Sequence, residues 1–507
     1  MNLDAYRAAA ETFVGEYTRE YYRHFAGLQD DLGIEAIYAR HERLFTRAAV
    51  EELRAAVADG PAAGDEARRR RYLLDFGVDG LLGRATRAQE AELAKREAEL
   101  SLDADGERIG FRESAVEQAN EPDAGRREAI ERARLAAIDD QLNPLHEEVL
   151  AVQHALSREL GWPSYRAMCA ECKGIDLEAL ERETAAFAAA TDAAYPSVVD
   201  EPLRRAVGVG LDGARRADLP RFFRCAEADA SFPADALVPA LRTTLAGLGI
   251  DLDAQANVVL DVARRPKKSP RAFCAPVRVP EEIYLVVPPI GGRDDYVALF
   301  HESGHAEHYA HVDPSLPFEF RALGDNSVTE AFAFLFDHLV EDPEWLRRRL
   351  GAEVDPELAA HVRAVRLLFM RRYAAKLGYE LDLHGAERPL AELAGDYAAR
   401  LSAAVGVSWP AASYLVDVDP GFYAASYLRA WALETHLRAT LRERFGPAWF
   451  DEREAGAFLR GLWREGQRLD AAELLADAIG PPAARLDFGA MLADLELGST
   501  PAPSRSP

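Results

Sequence analysis

Apolar side chains recur every three or four residues through most of this chain, and the two-residue alternation of strands is confined to one short stretch. Over residues 1–58 the spacing of Tyr6, Phe13, Tyr17, Tyr21, Tyr22 and Phe25 predicts two or three long helices, with this aromatic stripe in the core. Gly60-Pro61-Ala62-Ala63-Gly64 breaks the pattern. A helix is expected over roughly 65–100, a turn at Asp103-Ala-Asp-Gly106, and one long amphipathic helix over about 114–160. Gly161-Trp162-Pro163-Ser164 stops the chain and restarts it, Pro163 suiting a first helical turn. Helices continue over about 176–206 and 233–248. Later ones are expected near 327–350, 356–377, 389–404, 421–443, 451–465, 471–478 and 486–495. No period of 20–50 residues repeats, which excludes a solenoid.

Near residue 257 the pattern changes. Asn257–Val262, Ala272–Val279 and Ile283–Val287 are rich in β-branched residues and bounded by prolines, and predict a small two- or three-stranded sheet. Gly291-Gly292 follows, and a helix starts at Arg293-Asp294-Asp295, where Asp294 or Asp295 suits its positive end. The expected fold is therefore mostly α, with a small β-sheet beside that helix. The expected organisation is a helical N-terminal region over 1–160, a region over 161–497 that carries the candidate chemistry, and a disordered tail over 498–507.

Composition narrows the function. With 507 residues the chain can bury a large core, and a net charge of −25 argues against nucleic acid or an anionic membrane as partner. The run Arg68-Arg69-Arg70-Arg71 is expected on a solvated helix face. No signal peptide and no membrane span are apparent, and four cysteines make no disulfide scaffold, so the expected location is the cytoplasm. Cys169-Ala-Glu-Cys172 is a lone pair without the second pair a zinc ribbon needs, and is read as reduced structural thiols. Cys225 and Cys274 are read as small buried apolar residues.

The helix after the sheet contains Leu299-Phe300-His301-Glu302-Ser303-Gly304-His305-Ala306-Glu307-His308-Tyr309. Residues four apart lie about 40° apart around a helix, so His301 and His305 face the same way one turn apart. Two neutral imidazoles so placed reach one Zn²⁺, and Glu302 projects beside it as a base for a metal-bound water. The apolar run before His301 marks a buried helix, not a solvated histidine-rich face. A strand edge just before this helix would hold an extended peptide by main-chain hydrogen bonds; an ordinary structural hairpin is the alternative.

A catalytic zinc needs a third protein ligand. The segment Ser327-Val-Thr-Glu330-Ala-Phe-Ala-Phe-Leu-Phe-Asp337 is apolar around most of its circumference, so a carboxylate in it demands a partner. Glu330 suits the ligand role. Asp337, two turns on along the same face, suits an acceptor for a ligand imidazole N–H.

His301-Glu302-x-Gly304-His305-x-x-His308 resembles the signature of the thimet oligopeptidase and oligoendopeptidase F family of zinc metallopeptidases. In that family the glutamate ligand follows the second histidine by 25 residues, as Glu330 follows His305, with an acidic residue seven further on, as Asp337 is. Arg271-Ala-Phe-Cys274, Lys376-Leu-Gly-Tyr-Glu-Leu-Asp382-Leu-His384 and Gly466-Gln-Arg-Leu-Asp470-Ala-Ala-Glu473-Leu-Leu also look like the family's order, over roughly 250–495. The resemblance implies a helical ellipsoid with a deep substrate channel and zinc on its floor. It also implies His301, His305 and Glu330 as ligands, Glu302 as general base, and His308 as a supporting residue. Gly421-Phe422-Tyr423-Ala-Ala-Ser-Tyr427 looks like the segment whose tyrosines bind the tetrahedral intermediate, which makes Tyr423 and Tyr427 catalytic candidates; core packing is the other reading of both. The chain departs from the family in having no histidine shortly before these tyrosines, where Tyr414, Asp417 or Asp419 would have to substitute.

The reading is a zinc-dependent metallopeptidase, a hydrolase whose substrate partner is an oligopeptide. Two alternatives stand beside it: a dipeptidyl or single-residue carboxypeptidase on the same fold, and a non-catalytic peptide-binding protein.

Overall fold

Where prolines, glycines and capping side chains interrupt the apolar period, the helices end. The computed structural model describes residues 1–352, 355–480 and 486–497, so the tail expected at 498–507 lies outside the described residues. The fold is mostly α-helical, with two small β-sheets. Helix α1 (Leu3–Phe25) starts where the Asn2 side chain accepts from the backbone N–H groups of Asp4 and Ala5. Helix α2 (Asp65–Glu99) follows Gly64, whose φ of 87° is a conformation glycine adopts without penalty. Among the described residues no helix is long and apolar enough to cross a membrane.

The turn expected at 103–106 is present and joins a short antiparallel hairpin, β1 (Ser101–Ala104) and β2 (Glu107–Gly110), packed under a later helix. Two helix expectations fail locally. The single helix expected over 114–160 is three pieces, Phe111–Asn120, Ala124–Ala137 and Asn143–Glu159, the last two joined by a π turn at Ile138–Leu142. Pro122 cannot continue the first helix, and the Asp123 side chain caps the second by accepting from Arg126 N–H. Likewise the stretch at 327–350 breaks where Asp342 caps a new helix beginning at Pro343.

The second sheet positions the site. β3 (Val258–Asp261), β4 (Phe273–Arg278) and β5 (Glu282–Val286) lie in the order β3-β5-β4, with β3 parallel and β4 antiparallel to β5. Helices α3 (Arg293–Ala310) and α4 (Asn326–Asp337) follow and pack along each other. Two long helices, α5 (Pro356–Gly385) and α6 (Tyr423–Phe445), complete the surroundings, α6 packing on α4.

The aromatic stripe of α1 is only half core. Tyr6, Phe13 and Tyr22 are buried, but Tyr17 is half-buried and Tyr21 is 37% exposed. The arginine run on α2 is not a solvated face either. Arg68 pairs with Glu473 and Arg69 with the buried Glu319, which ties α2 to the C-terminal half of the chain, while Arg70 pairs with Glu66 on α2 itself. Cys169, Cys172 and Cys225 are buried free thiols, as expected, whereas Cys274 is half-buried.

Candidate metal centre

α3 carries His301 and His305 on the face turned toward α4, and their ring centroids lie 4.9 Å apart. Glu330 on α4 meets both: its Oε2 stands 3.4 Å from His301 Nε2 and 3.8 Å from His305 Nε2. Donors about 2.0–2.2 Å from one tetrahedral ion are separated by about 3.3–3.6 Å, so the Glu330–His301 separation matches such a site and the Glu330–His305 separation is slightly long for it. Their ligand atoms all lie within 4.8 Å of one another. Glu330 Oε2 is buried and has no hydrogen-bond partner, while Oε1 accepts from the Tyr423 hydroxyl at 2.6 Å. A buried carboxylate oxygen left over in this way is the donor that a cation would satisfy.

The imidazoles are oriented from behind. His301 Nδ1 faces Asp337 Oδ2 at 2.9 Å, and His305 Nδ1 faces Thr329 Oγ1 at 2.8 Å. With both Nδ1 atoms carrying the hydrogen, both Nε2 lone pairs point at Glu330. Burial disfavours a charged His301, yet Asp337 and Glu330 outweigh it and pull this group up to about 10. Burial pushes His305 the other way, down to about 4. Asp337 and Glu330 thus favour positive charge here, whether a proton or a cation brings it.

Glu302 belongs to the same helix but not to the triplet. Burial lifts its carboxyl to about 7, against the opposing pull of His301 and of the Cys274 N–H. That N–H donates to Glu302 Oε2 at 2.8 Å, which leaves Oε1 unencumbered by this contact. Cys274 sits on β4, so the sheet contributes the group that aims Glu302.

The strand immediately before α3 is not an edge. β5 is central, paired on both sides, and the edge beside Glu302 is β4. Along that outer edge the Cys274 N–H is taken by Glu302, and Pro276, two residues on and facing the same way, has none. The edge therefore has fewer free donors for an extended peptide than the sequence reading expects.

Tyr423 opens α6 after two consecutive left-handed residues, Gly421 (φ 61°) and Phe422 (φ 58°). Phe422 pays a steric cost for this conformation, and its burial against Tyr165 and His384 holds it there. The turn puts the Tyr423 hydroxyl on Glu330. Tyr427, one turn on, packs its ring 4.9 Å from that of Tyr423 and 5.9 Å from Phe334. Burial raises both phenols well above the ordinary tyrosine value, and the Glu330 charge adds to the rise.

Asp294 and Asp295 do lie in the first turn of α3, and Asp295 Oδ2 also accepts from the N–H groups of Ile290 and Gly291, pinning the loop before it. Other expected residues are turned elsewhere. His308 is buried with Nε2 3.3 Å from the Gly466 carbonyl oxygen, a packing role. Of the residues standing where the family has its histidine, Tyr414 donates to Glu147, Asp417 accepts from Tyr397, and Asp419 pairs with the buried Lys376 at 2.8 Å. The sequence reading missed Thr329 and the Cys274 N–H. Thr329 could have been found from its place next to Glu330, one residue off the ligand face; the Cys274 contact has no sequence signal.

No family model matches the chain, and no curated protein matches it.

Proposed function

We propose that this chain is a zinc-dependent peptidase of the kind its motif resembles, hydrolysing peptide bonds in oligopeptides. The observation that carries this is the buried, unpartnered Glu330 Oε2 facing both imidazole Nε2 atoms, with a second carboxylate, Glu302, beside the triplet and outside it. His301, His305 and Glu330 would hold the ion. When bound, zinc supplies Lewis-acid polarisation of the scissile carbonyl and lowers the pKa of a coordinated water toward ~7.

The chain's own groups do the rest. Glu302 takes a proton from the attacking water on its free oxygen and returns it to the leaving amine. The Cys274 N–H keeps that carboxylate from swinging away. Asp337 and Thr329 hold the histidine rings in the ligand tautomer. Tyr423 orients Glu330 and, with Tyr427, supplies hydroxyl donors for the developing oxyanion.

Mass spectrometry of a mixed peptide library incubated with the zinc-loaded protein, with and without a chelator, tests the reading. Internal cleavages that stop on chelation and return with zinc are expected. Loss of C-terminal units alone would favour the carboxypeptidase alternative. Peptides left intact by the zinc-loaded protein would remove the peptidase reading.

A further inference from the structure

Helices α1 and α2 wall a cavity of about 380 Å³. Its sides are aromatic, Tyr17, Tyr38 and Phe76 among them, and Asp75 and Asp79 reach it from successive turns of α2. The chain at 322–326 that leads into α4 closes another side.

Two helices run from this cavity to the candidate metal centre. On α1, Tyr17 lines the cavity; Tyr21, one turn on, packs its ring 5.8 Å from Phe273, the neighbour of the Cys274 that donates to Glu302. On α4, Asn326 lines the cavity and Glu330 follows one turn later. Four residues of helix span about 6 Å, the length of about two residues of extended peptide. A third link comes from Lys173, whose Cε lies 3.3 Å from where a Cβ on Gly421 would stand, two residues before Tyr423.

Beside the cavity two carboxylates, Asp75 and Asp79, share one ammonium, that of Lys173. Lys173 Nζ is 3.2 Å from each Asp75 oxygen, and this pair is mostly buried, at 21% and 22% exposure. Asp79 is left 3.8 Å from the same ammonium and is 58% exposed. One face of Tyr38 is covered by the Arg87 guanidinium, 4.5 Å above its ring, which leaves Tyr17 and Phe76 as the aromatic walls for a ligand.

We propose that Asp79 and the aromatic walls form a subsite for a basic residue, lysine or arginine, of the peptide substrate, two or three residues from the scissile bond. This rests on the peptidase reading above. A lysine or arginine side chain lays its apolar stem along the rings and sets its charge against Asp79 while its head keeps water. A neutral side chain gains only the first contact, and an acidic one meets the Asp79 carboxylate.

The test uses the zinc-loaded full chain and quenched fluorogenic peptides in pairs, identical except for lysine or norleucine at each position two and three residues either side of the cleaved bond. At one position the lysine peptide is expected to have kcat/KM about tenfold higher, the size of an exposed ion pair and a cation–π contact together. Asp79→Asn should bring that ratio toward one through KM, and Asp79→Lys should take it below one. A matching melting temperature for these variants checks that the fold is intact. No preference for lysine at any position, or an unchanged ratio in Asp79→Asn, overturns the subsite. If the wild-type protein cuts neither peptide, it is the peptidase reading that falls. The subsite is then decided by fluorescence anisotropy of the same labelled pairs: tighter lysine-peptide binding that Asp79→Asn abolishes supports it, and equal Kd values overturn it.

Discussion

Gly304 and Ala333 meet where the two site helices pass each other: a Cβ on Gly304 would lie 2.6 Å from Ala333 Cα and 2.5 Å from the Phe332 carbonyl oxygen. Backbone cannot yield as a flexible side chain can, so only glycine allows α3 and α4 this approach. The same approach sets Glu330, three residues before Ala333, against the imidazoles that flank Gly304 in the chain.

Gly304→Ala should therefore force the helices apart, at a cost of about 1–3 kcal/mol. A lowered melting temperature together with substoichiometric zinc is expected. Full zinc occupancy in this variant would show that the site tolerates the displacement.

Asp337→Asn removes the charge that holds His301, and Thr329→Val removes the oxygen that holds His305. Each should weaken zinc binding about 10–100-fold, measured by competition with a chromophoric chelator. Unchanged affinity in both would deny these residues an orienting role.

Glu302→Gln keeps an oxygen for the Cys274 N–H but has no basic carboxylate. Zinc content should stay at the wild-type level while kcat falls by about 10²–10⁴-fold. Wild-type turnover would assign the base elsewhere.

Tyr423→Phe takes the hydroxyl from Glu330. The expected result is a fall in kcat of about 10²–10³-fold with KM little changed, and a smaller fall for Tyr427→Phe. A change confined to KM would make Tyr423 a substrate contact instead.

His154 and His384 face each other at 3.1 Å, both buried. Burial pushes His154 down to about 4 and His384 in the same direction. Both folded values lie below the ~6.5 of an unfolded histidine, so the unfolded chain binds more protons as the pH falls. The stability they contribute is complete above about pH 6.5 and is lost between there and about pH 4. His154→Gln should flatten this acid limb by up to ~3 kcal/mol, read from urea midpoints across that range. An identical pH slope in variant and wild type would place the acid sensitivity on other groups.

Helix content was legible because the apolar period is a property of neighbouring residues. The predicted helix over 65–100 appears as Asp65–Glu99, and that over 389–404 as Leu390–Val405. The failures fall where a local stop outweighs the period, as at Pro122 and Asp342. In the candidate site, His301 and His305 could be paired from helical geometry alone. Glu330 could be singled out because a charge in an apolar helix needs a partner.

By itself the sequence determined the helical character of the chain and that His301 and His305 could share an ion, since both follow from spacing within a few turns of helix. Only the tertiary structure decided that β5 is central and β4 the edge, that Thr329 and the Cys274 N–H orient His305 and Glu302, and that Tyr21 leaves the core. It also paired Arg68 and Arg69 with carboxylates from the C-terminal half of the chain. These outcomes depend on what arrives from distant parts of the chain to cover a face or accept a hydrogen bond, and no local period carries that information.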